Sequence, residues 1–199
     1  HFGQTGLGLP DRYYYFKTDA STLEIQKAYK SYLTKLFTLT GNNNAAQHTA
    51  TVYGIEERLA GAHKTRIERR NVKANYNKLA VSDLSKNQRN IGWNNLLKNL
   101  GAEADHVDIR QPAYYDKLNE MLKTVALADW KSYLKANILT NYADILSEPF
   151  EKAAFEYAKV ISGQAVQNTR AQIMVQKVDR QLGFALGKIY VARHFDEAA

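Results

Sequence analysis

Along most of this chain an apolar residue returns every three or four positions, and each such run stops at a glycine or restarts at a proline. Ile25, Tyr29, Tyr32, Leu36 and Leu39 form the first run, and Gly41 follows it. Side chains at that spacing share one face of a helix, and a glycine just beyond can take the left-handed conformation that ends one. Ser21 and Glu24, ahead of the run, match a capping box. After the loop "GNNN", Val52, Ile55 and Leu59 stripe a second helix over 46–62. "IGWNNLLKNLG" reads as a short helix closed by Gly101. Pro112 suits the first turn of a helix carrying Tyr115, Leu118 and Leu122. Trp130, Tyr133, Leu134, Ile138 and Tyr142 mark another helix. Pro149 opens one more, with Phe150, Ala154, Tyr157 and Ile161, which stops near Gly163. Strand-like alternation is confined to "VDIRQP". "RNVKANYNKLAVSDL" is irregular, because Asn71, Asn75 and Asn77 disfavour continuous helix; Ser82 and Asp83 could cap a short one there. The pattern predicts a mostly α fold: one multi-helical domain over 1–199, with at most a short extended segment and a last helix over 167–195.

Composition narrows what such a domain can do. The 199 residues suit one domain or two small ones, and the 45% that are hydrophobic are enough for a core. There is no cysteine, which removes disulfides, thiolate zinc sites and cysteine nucleophiles, and fits either a cytosolic protein or a bacterial secreted one. Mean hydropathy is -0.48, and no apolar run is long enough for a membrane span or a signal peptide. The opening His1-Phe2-Gly3 reads as a cut within a longer chain. A net charge of +7 raises nucleic acid and anionic membrane surfaces as partners. The only dense basic stretch, "KTRIERRNVK" from Lys64 to Lys73, contains no aromatic residue to stack on bases. It reads as a solvated helix end and loop, and nucleic acid is not expected as a partner.

A search for chemistry returns little. Zinc hydrolysis of the H-E-x-x-H type needs two histidines on one helical face. His1, His48, His63, His106 and His194 include no pair three or four apart, and none precedes a glutamate. His106, near Glu103, Asp105 and Asp108, is the nearest approach to a metal cluster, and an acidic loop before a strand explains it as well. No phosphate-binding G-x-x-x-x-G-K-[ST] and no G-x-S-x-G occurs, and "GLG" near the start follows no strand. Glu56 and Glu57 are adjacent on a helix, so they point apart and read as surface charges. The chain itself is expected to hold no catalytic residue and no metal ligand. Its substrate-binding residues are not legible.

Three stretches in order carry more information. "GLGLPDRYYY" comes first, "YNKLAVSDL" follows from Tyr76 to Leu84, and "LGFALGKIYVARHF" closes from Leu182 to Phe195. Together they resemble the neprilysin-like zinc metallopeptidases of peptidase family M13, which carry G-L-P-[DS]-R-[DE]-Y-Y, Y-N-K-M-[ST] and A-x-G-x-L-Y-V elements in that order. Gly8, Leu9, Pro10, Asp11, Arg12, Tyr14 and Tyr15 match the first, with Tyr13 replacing an acid that could pair near Arg12. Tyr76, Asn77 and Lys78 match the second, with Leu79 and Ala80 replacing Met and Ser/Thr. Ala185, Gly187, Tyr190 and Val191 match the third. The family-signature positions are thus Gly8, Pro10, Arg12, Tyr14, Tyr76, Asn77, Gly187 and Tyr190. Met174 stands where animal members place a cysteine, so their disulfide is absent, as in bacterial relatives.

The resemblance implies that this chain is the helical lobe that covers the active-site cavity and restricts entry to oligopeptides. The catalytic lobe, with zinc held by H-E-x-x-H and a downstream glutamate, would be encoded after the last helix. Zinc would then belong to the full-length protein, not to this chain. Partners would be oligopeptide substrates and the catalytic lobe, and the protein would be exported, periplasmic or on the surface of a bacterium. The alternative is a free-standing helical protein-binding module that offers its basic surface to an acidic partner.

Two local features extend this reading. In the opening stretch Pro10 fixes φ, and Gly6 and Gly8 permit conformations other residues avoid, so the chain turns a corner there. Tyr13 to Tyr15 then bury rings while their hydroxyls find polar partners, in preference to forming a peptide-binding surface. In the last helix Val175, Val178, Leu182, Ala185 and Ile189 make one stripe, while Phe184, Val191 and Phe195 make a second on the opposite side. The upstream domain should cover the first stripe. The second should be left for the catalytic lobe or, without it, for self-association or fraying of the last two turns.

Overall fold

The structure, a computed structural model, describes residues 1–195 and divides into two compact units, His1–Thr140 and Asn141–Ala199. The sequence reads as one helical domain; the division falls near the end of the helix Leu127–Tyr142.

In the first unit the helices α1 (Tyr13–Phe16), α2 (Ala20–Leu39) and α3 (Ala45–Ala62) come first. α2 begins where Asp19 accepts the Thr22 amide at 3.0 Å and the Ser21 and Thr22 hydroxyls at 2.7 and 2.8 Å. Those bonds, the Ser21 hydroxyl foremost, pull the Asp19 carboxyl down to about 2. The capping box expected from Ser21 and Glu24 is not formed, because an ionised carboxylate is the stronger acceptor and turns Ser21 into its donor. Gly41, at φ +73°, ends the helix as expected. Leu33, Leu36 and Phe37 of α2 pack in the same buried layer as Val52, Ile55 and Leu59 of α3. Each such side chain contributes about 1.5–3 kcal/mol on burial, which makes this hairpin the centre of the core.

The basic stretch is more ordered than a helix end and loop. Thr65 and Glu68 form a true capping box around α4 (Arg66–Arg70), and a 3-10 turn, Lys73–Asn75, follows. β1 (Lys78–Ala80) then pairs antiparallel with β2 (His106–Asp108), and Phe2 bridges in parallel to Ile109. The extended segment read in "VDIRQP" is thus the centre of a small sheet. α5 (Val81–Asn87) starts directly from β1 with Ala80 at its cap, because the Val81 amide already donates to the Asp105 carbonyl at 2.9 Å; Ser82 and Asp83 lie inside the helix. α6 (Trp93–Asn99), α7 (Pro112–Thr124) and α8 (Leu127–Tyr142) complete the unit, with Trp93 fully buried.

In the second unit α9 (Glu148–Ser162) ends at Gly163, φ +70°, and α10 spans Arg170–His194 behind a Thr169–Gln172 capping box. Arg170 ties the start of α10 to the Ile145 and Leu146 carbonyls, each at 3.1 Å, and to Glu151 at 2.9 Å. Lys177 pairs with Asp144 at 2.8 Å. α10 is shorter than the expected 167–195, and it departs from helical geometry at Leu182 (φ −113°, ψ 20°). None of its residues is buried. The expectation that upstream helices cover Val175, Val178, Leu182 and Ile189 is therefore corrected: both stripes are exposed, and Phe184 is 101% accessible.

The two opening glycines have different tasks. Gly6 holds φ +89°, and a methyl there would lie 2.5 Å from the Tyr133 hydroxyl. Gly8 has no positive φ; a methyl there would overlap the Tyr29 hydroxyl and ring edge. We predict that Gly6→Ala and Gly8→Ala each lower stability by about 1–3 kcal/mol, the first through backbone strain and overlap, the second through overlap alone. Gly41→Ala, with open space around it, should lose only the backbone share of about 1 kcal/mol. Denaturant melts of the three variants test the ranking.

Candidate functional site

The corner made by "GLGLPDRYYY" is held by tyrosine hydroxyls, and a buried carboxylate stands at its centre. Tyr15 and Tyr29 donate to the two oxygens of Glu56 at 2.9 and 2.8 Å. The Leu9 amide donates to the Tyr15 hydroxyl at 3.1 Å, so the corner, α1, α2 and α3 meet at one carboxyl group. Further along the opening segment, Tyr115 donates to the Gly3 carbonyl at 3.0 Å and Tyr133 to the Gly6 carbonyl at 2.8 Å. His63 Nε2–H donates to the Thr5 carbonyl at 3.2 Å, which fixes its tautomer. Gln111 accepts the Gln4 amide at 2.8 Å, and Gln4 exchanges bonds with the Lys64 backbone at 2.8 and 3.0 Å. An extended segment threaded between helices has no ladder of its own, and these side chains satisfy its backbone instead.

Glu56 is 2% exposed, which corrects its reading as a surface charge; Glu57 beside it is exposed. Burial pushes the Glu56 carboxyl up to about 7, against the opposing pull of the Tyr29 and Tyr15 hydroxyls. Burial likewise pushes the His63 imidazole down to about 4. The signal for Glu56 was present in the sequence: it follows Val52 by four and precedes Leu59 by three, on the apolar face of α3.

Of the signature residues, Gly8 and Pro10 form the exposed side of the corner. Arg12 is half-buried, with Nε lacking a hydrogen-bond partner among the described residues and its guanidinium 5.9 Å from the Phe16 ring centre. Tyr14 is half-buried, and its carbonyl accepts from Gln26 at 2.8 Å. Tyr15 is the buried ring of the trio, while Tyr13 faces outward. Asn77 closes the small sheet: its amide donates to Asp108 at 2.8 Å and its side chain to the Ile109 carbonyl at 3.1 Å. Tyr76, next to it, is exposed. Gly187 and Tyr190 belong to α10 in the second unit, where Tyr190 packs on His194 with ring centres 4.5 Å apart. Among the described residues no three His, Cys, Asp or Glu side chains gather as a metal site. His106 pairs through β2 with β1, and Asp108 is engaged by Asn77.

This order of elements, ten α-helices among the described residues with one two-stranded sheet, recurs in a solved bacterial zinc metalloprotease. The zinc metalloprotease Zmp1 of Mycobacterium tuberculosis, solved in complex with an inhibitor, superposes with a TM-score of 0.91 at 27% identity, covering 98% of this chain and 30% of that one. PepO from Lactobacillus rhamnosis shares the fold, with a TM-score of 0.84 at 17% identity over 98% of this chain and 32% of its own. The sequence profile of peptidase family M13 matches residues 1–199, and the chain belongs to that family. Rat endothelin-converting enzyme-like 1 is 27% identical over 98% of this chain and 26% of its own length. Mouse membrane metallo-endopeptidase-like 1 is 24% identical over 99% and 28%. The chain spans about a quarter of the length of these curated relatives.

The Glu56 site has a signed pH dependence. The folded pKa lies above the ordinary value, so the native state holds a proton that the unfolded chain releases, and stability falls as pH rises from about 4.5 to about 7. His63 acts the other way, losing stability as pH falls from 6.5 towards about 4. Subtracting the profile of Glu56→Gln isolates the first effect. We expect the wild type to lose about 3 kcal/mol relative to that variant between pH 4.5 and 8. Parallel profiles in denaturant melts across that range would contradict the assignment.

Proposed function

We propose that this chain is the non-catalytic N-terminal lobe of a zinc metalloendopeptidase that hydrolyses oligopeptides, covering the active-site cavity and limiting substrate size. The match of peptidase family M13 over residues 1–199, with no metal-binding trio among the described residues, is the observation that carries this reading. Zinc and the water it activates would be supplied by a catalytic lobe encoded downstream. The eight signature residues would then act structurally: Gly8, Pro10, Arg12 and Tyr14 build the corner, Tyr76 and Asn77 lead into the small sheet, and Gly187 and Tyr190 sit on the helix nearest the catalytic lobe in sequence. Among the described residues no helix is long and apolar enough to cross a membrane. We further propose that the protein is exported by a bacterium, to the periplasm or the cell surface.

The decisive test is the gene. An H-E-x-x-H motif a few hundred residues downstream, and chelator-sensitive hydrolysis of a fluorogenic oligopeptide by the full-length protein, support the proposal. The 199-residue chain alone should retain no stoichiometric zinc after dialysis and cleave no peptide. Chelator-sensitive turnover by it would overturn the division of labour.

The exposed face of α10 carries a further expectation. Phe184, Val191 and Phe195 would bury against the catalytic lobe, and in its absence against a second copy, since each large apolar side chain gains about 1.5–3 kcal/mol on burial. Light scattering across a concentration series should show association of the wild-type chain and a monomer for Phe184→Ser/Phe195→Ser. A strictly monomeric wild type with amide protection throughout α10 would refute this.

A further inference from the structure

A cleft of about 400 Å³ lies between the α4 segment and the end of β2, and its walls are arginine. Arg66, Arg69, Arg70 and Arg110 all line it, against one carboxylate, Asp108. Asp108 already accepts the Asn77 amide, and Arg66 is paired with Asp11 at 2.6 Å. Arg69, Arg70 and Arg110 are exposed and form no ion pair or side-chain hydrogen bond among the described residues. Like charges held at one concave surface repel, and a fold keeps them together only where its backbone is fixed by something else.

That fixing is visible. Asn75, buried in the floor of the cleft, donates to the Glu68 and Asn71 carbonyls at 2.7 Å each and accepts from Lys64 at 3.1 Å and Gln111 at 3.1 Å. Gln111, also buried, accepts the Gln4 amide. The floor is a satisfied polar network that holds the α4 segment against the sheet, while Arg69, Arg70 and Arg110 around it have no ion-pair partner among the described residues. Beside them two apolar side chains line the same cleft in the open: Val72, 81% exposed, and Tyr76, 62% exposed. Arginine and tyrosine around a concave patch are the residues that anchor polypeptide partners, since the guanidinium fork matches carboxylates and the aromatic ring adds desolvated contact.

We propose that this cleft is a docking site for an acidic polypeptide segment that presents an aromatic or large aliphatic residue among its carboxylates. The carboxylates engage Arg69, Arg70 and Arg110, and the apolar residue covers Val72 and Tyr76. Charge complementarity selects the acidic partner, and the apolar pair distinguishes a peptide from a bare anion. This inference does not depend on the peptidase reading.

The test titrates the 199-residue chain with acetyl-Asp-Glu-Phe-Glu-Asp-amide, its Asn/Gln analogue and inorganic pyrophosphate. We expect the acidic peptide to bind and its uncharged analogue not to. Arg69→Gln/Arg70→Gln/Arg110→Gln should weaken binding at least about tenfold, whereas the charge-matched Lys27→Gln/Lys35→Gln/Lys131→Gln should change it less than about twofold. Val72→Ser/Tyr76→Ser should weaken the peptide several-fold and leave pyrophosphate unchanged. All substituted residues are exposed, and unchanged melting curves confirm folding. Equal losses in the two triple variants would reduce the effect to net charge and overturn the site. Indifference of the peptide to the Val72/Tyr76 change would overturn the polypeptide assignment, as would absence of peptide binding at millimolar concentration.

Discussion

The first unit of this chain depends on one buried carboxyl group. Glu56 receives hydroxyls from α1 and α2, and through Tyr15 it fixes the amide of Leu9. An unpartnered carboxyl at that depth would be strongly destabilising, so the two tyrosine donors are a condition of the packing. They also explain Gly8, because the hydroxyl of Tyr29 reaches Glu56 through space that any side chain at Gly8 would occupy. Burial disfavours the charged carboxylate and so raises its proton affinity, while the two donating phenols favour the charged form and hold that rise in check.

Around this point the fold uses tyrosine as an adhesive for an otherwise ladderless strand. Tyr115 and Tyr133 reach the opening segment from α7 and α8, burying their rings in the core and bonding backbone carbonyls with their tips. The opening residues are thereby integral to the core although they form no helix. Phe2 goes further and joins β2, placing its ring 5.3 Å from that of Trp93. The same logic positions the arginine cleft: its floor is the amide network of Asn75 and Gln111, which links the opening segment to the α4 segment.

The second unit rests on different physics. Arg170 and Lys177 anchor the base of α10 through polar contacts, while the large apolar residues Val175, Leu182, Phe184 and Ile189 of that helix are exposed. A helix built from apolar residues yet buried nowhere lacks the packing that normally stabilises such an element. That is the physical content of the proposal that another lobe lies against it.

The sequence by itself determined most of the long helices and several of their ends. Periodicity placed α2, α3, α7, α8 and α9 nearly as observed, because an apolar face must repeat with the helical turn, and Gly41, Gly101 and Gly163 marked stops where positive φ is needed. The three ordered motifs carried the family, now shown by the match over the whole chain. Local chemistry was less legible where two acceptors compete: Asp19 rather than Ser21 caps α2, since a charge outweighs a hydroxyl. Only the tertiary structure decided the role of Glu56, whose partners lie 41 and 27 residues away, because hydrogen bonding between distant side chains leaves no local period. It alone separated the tasks of Gly6 and Gly8, one set by backbone conformation and the other by the approach of Tyr29. It alone showed both stripes of α10 in the open, since a pattern of apolar residues says what must be covered and not what covers it.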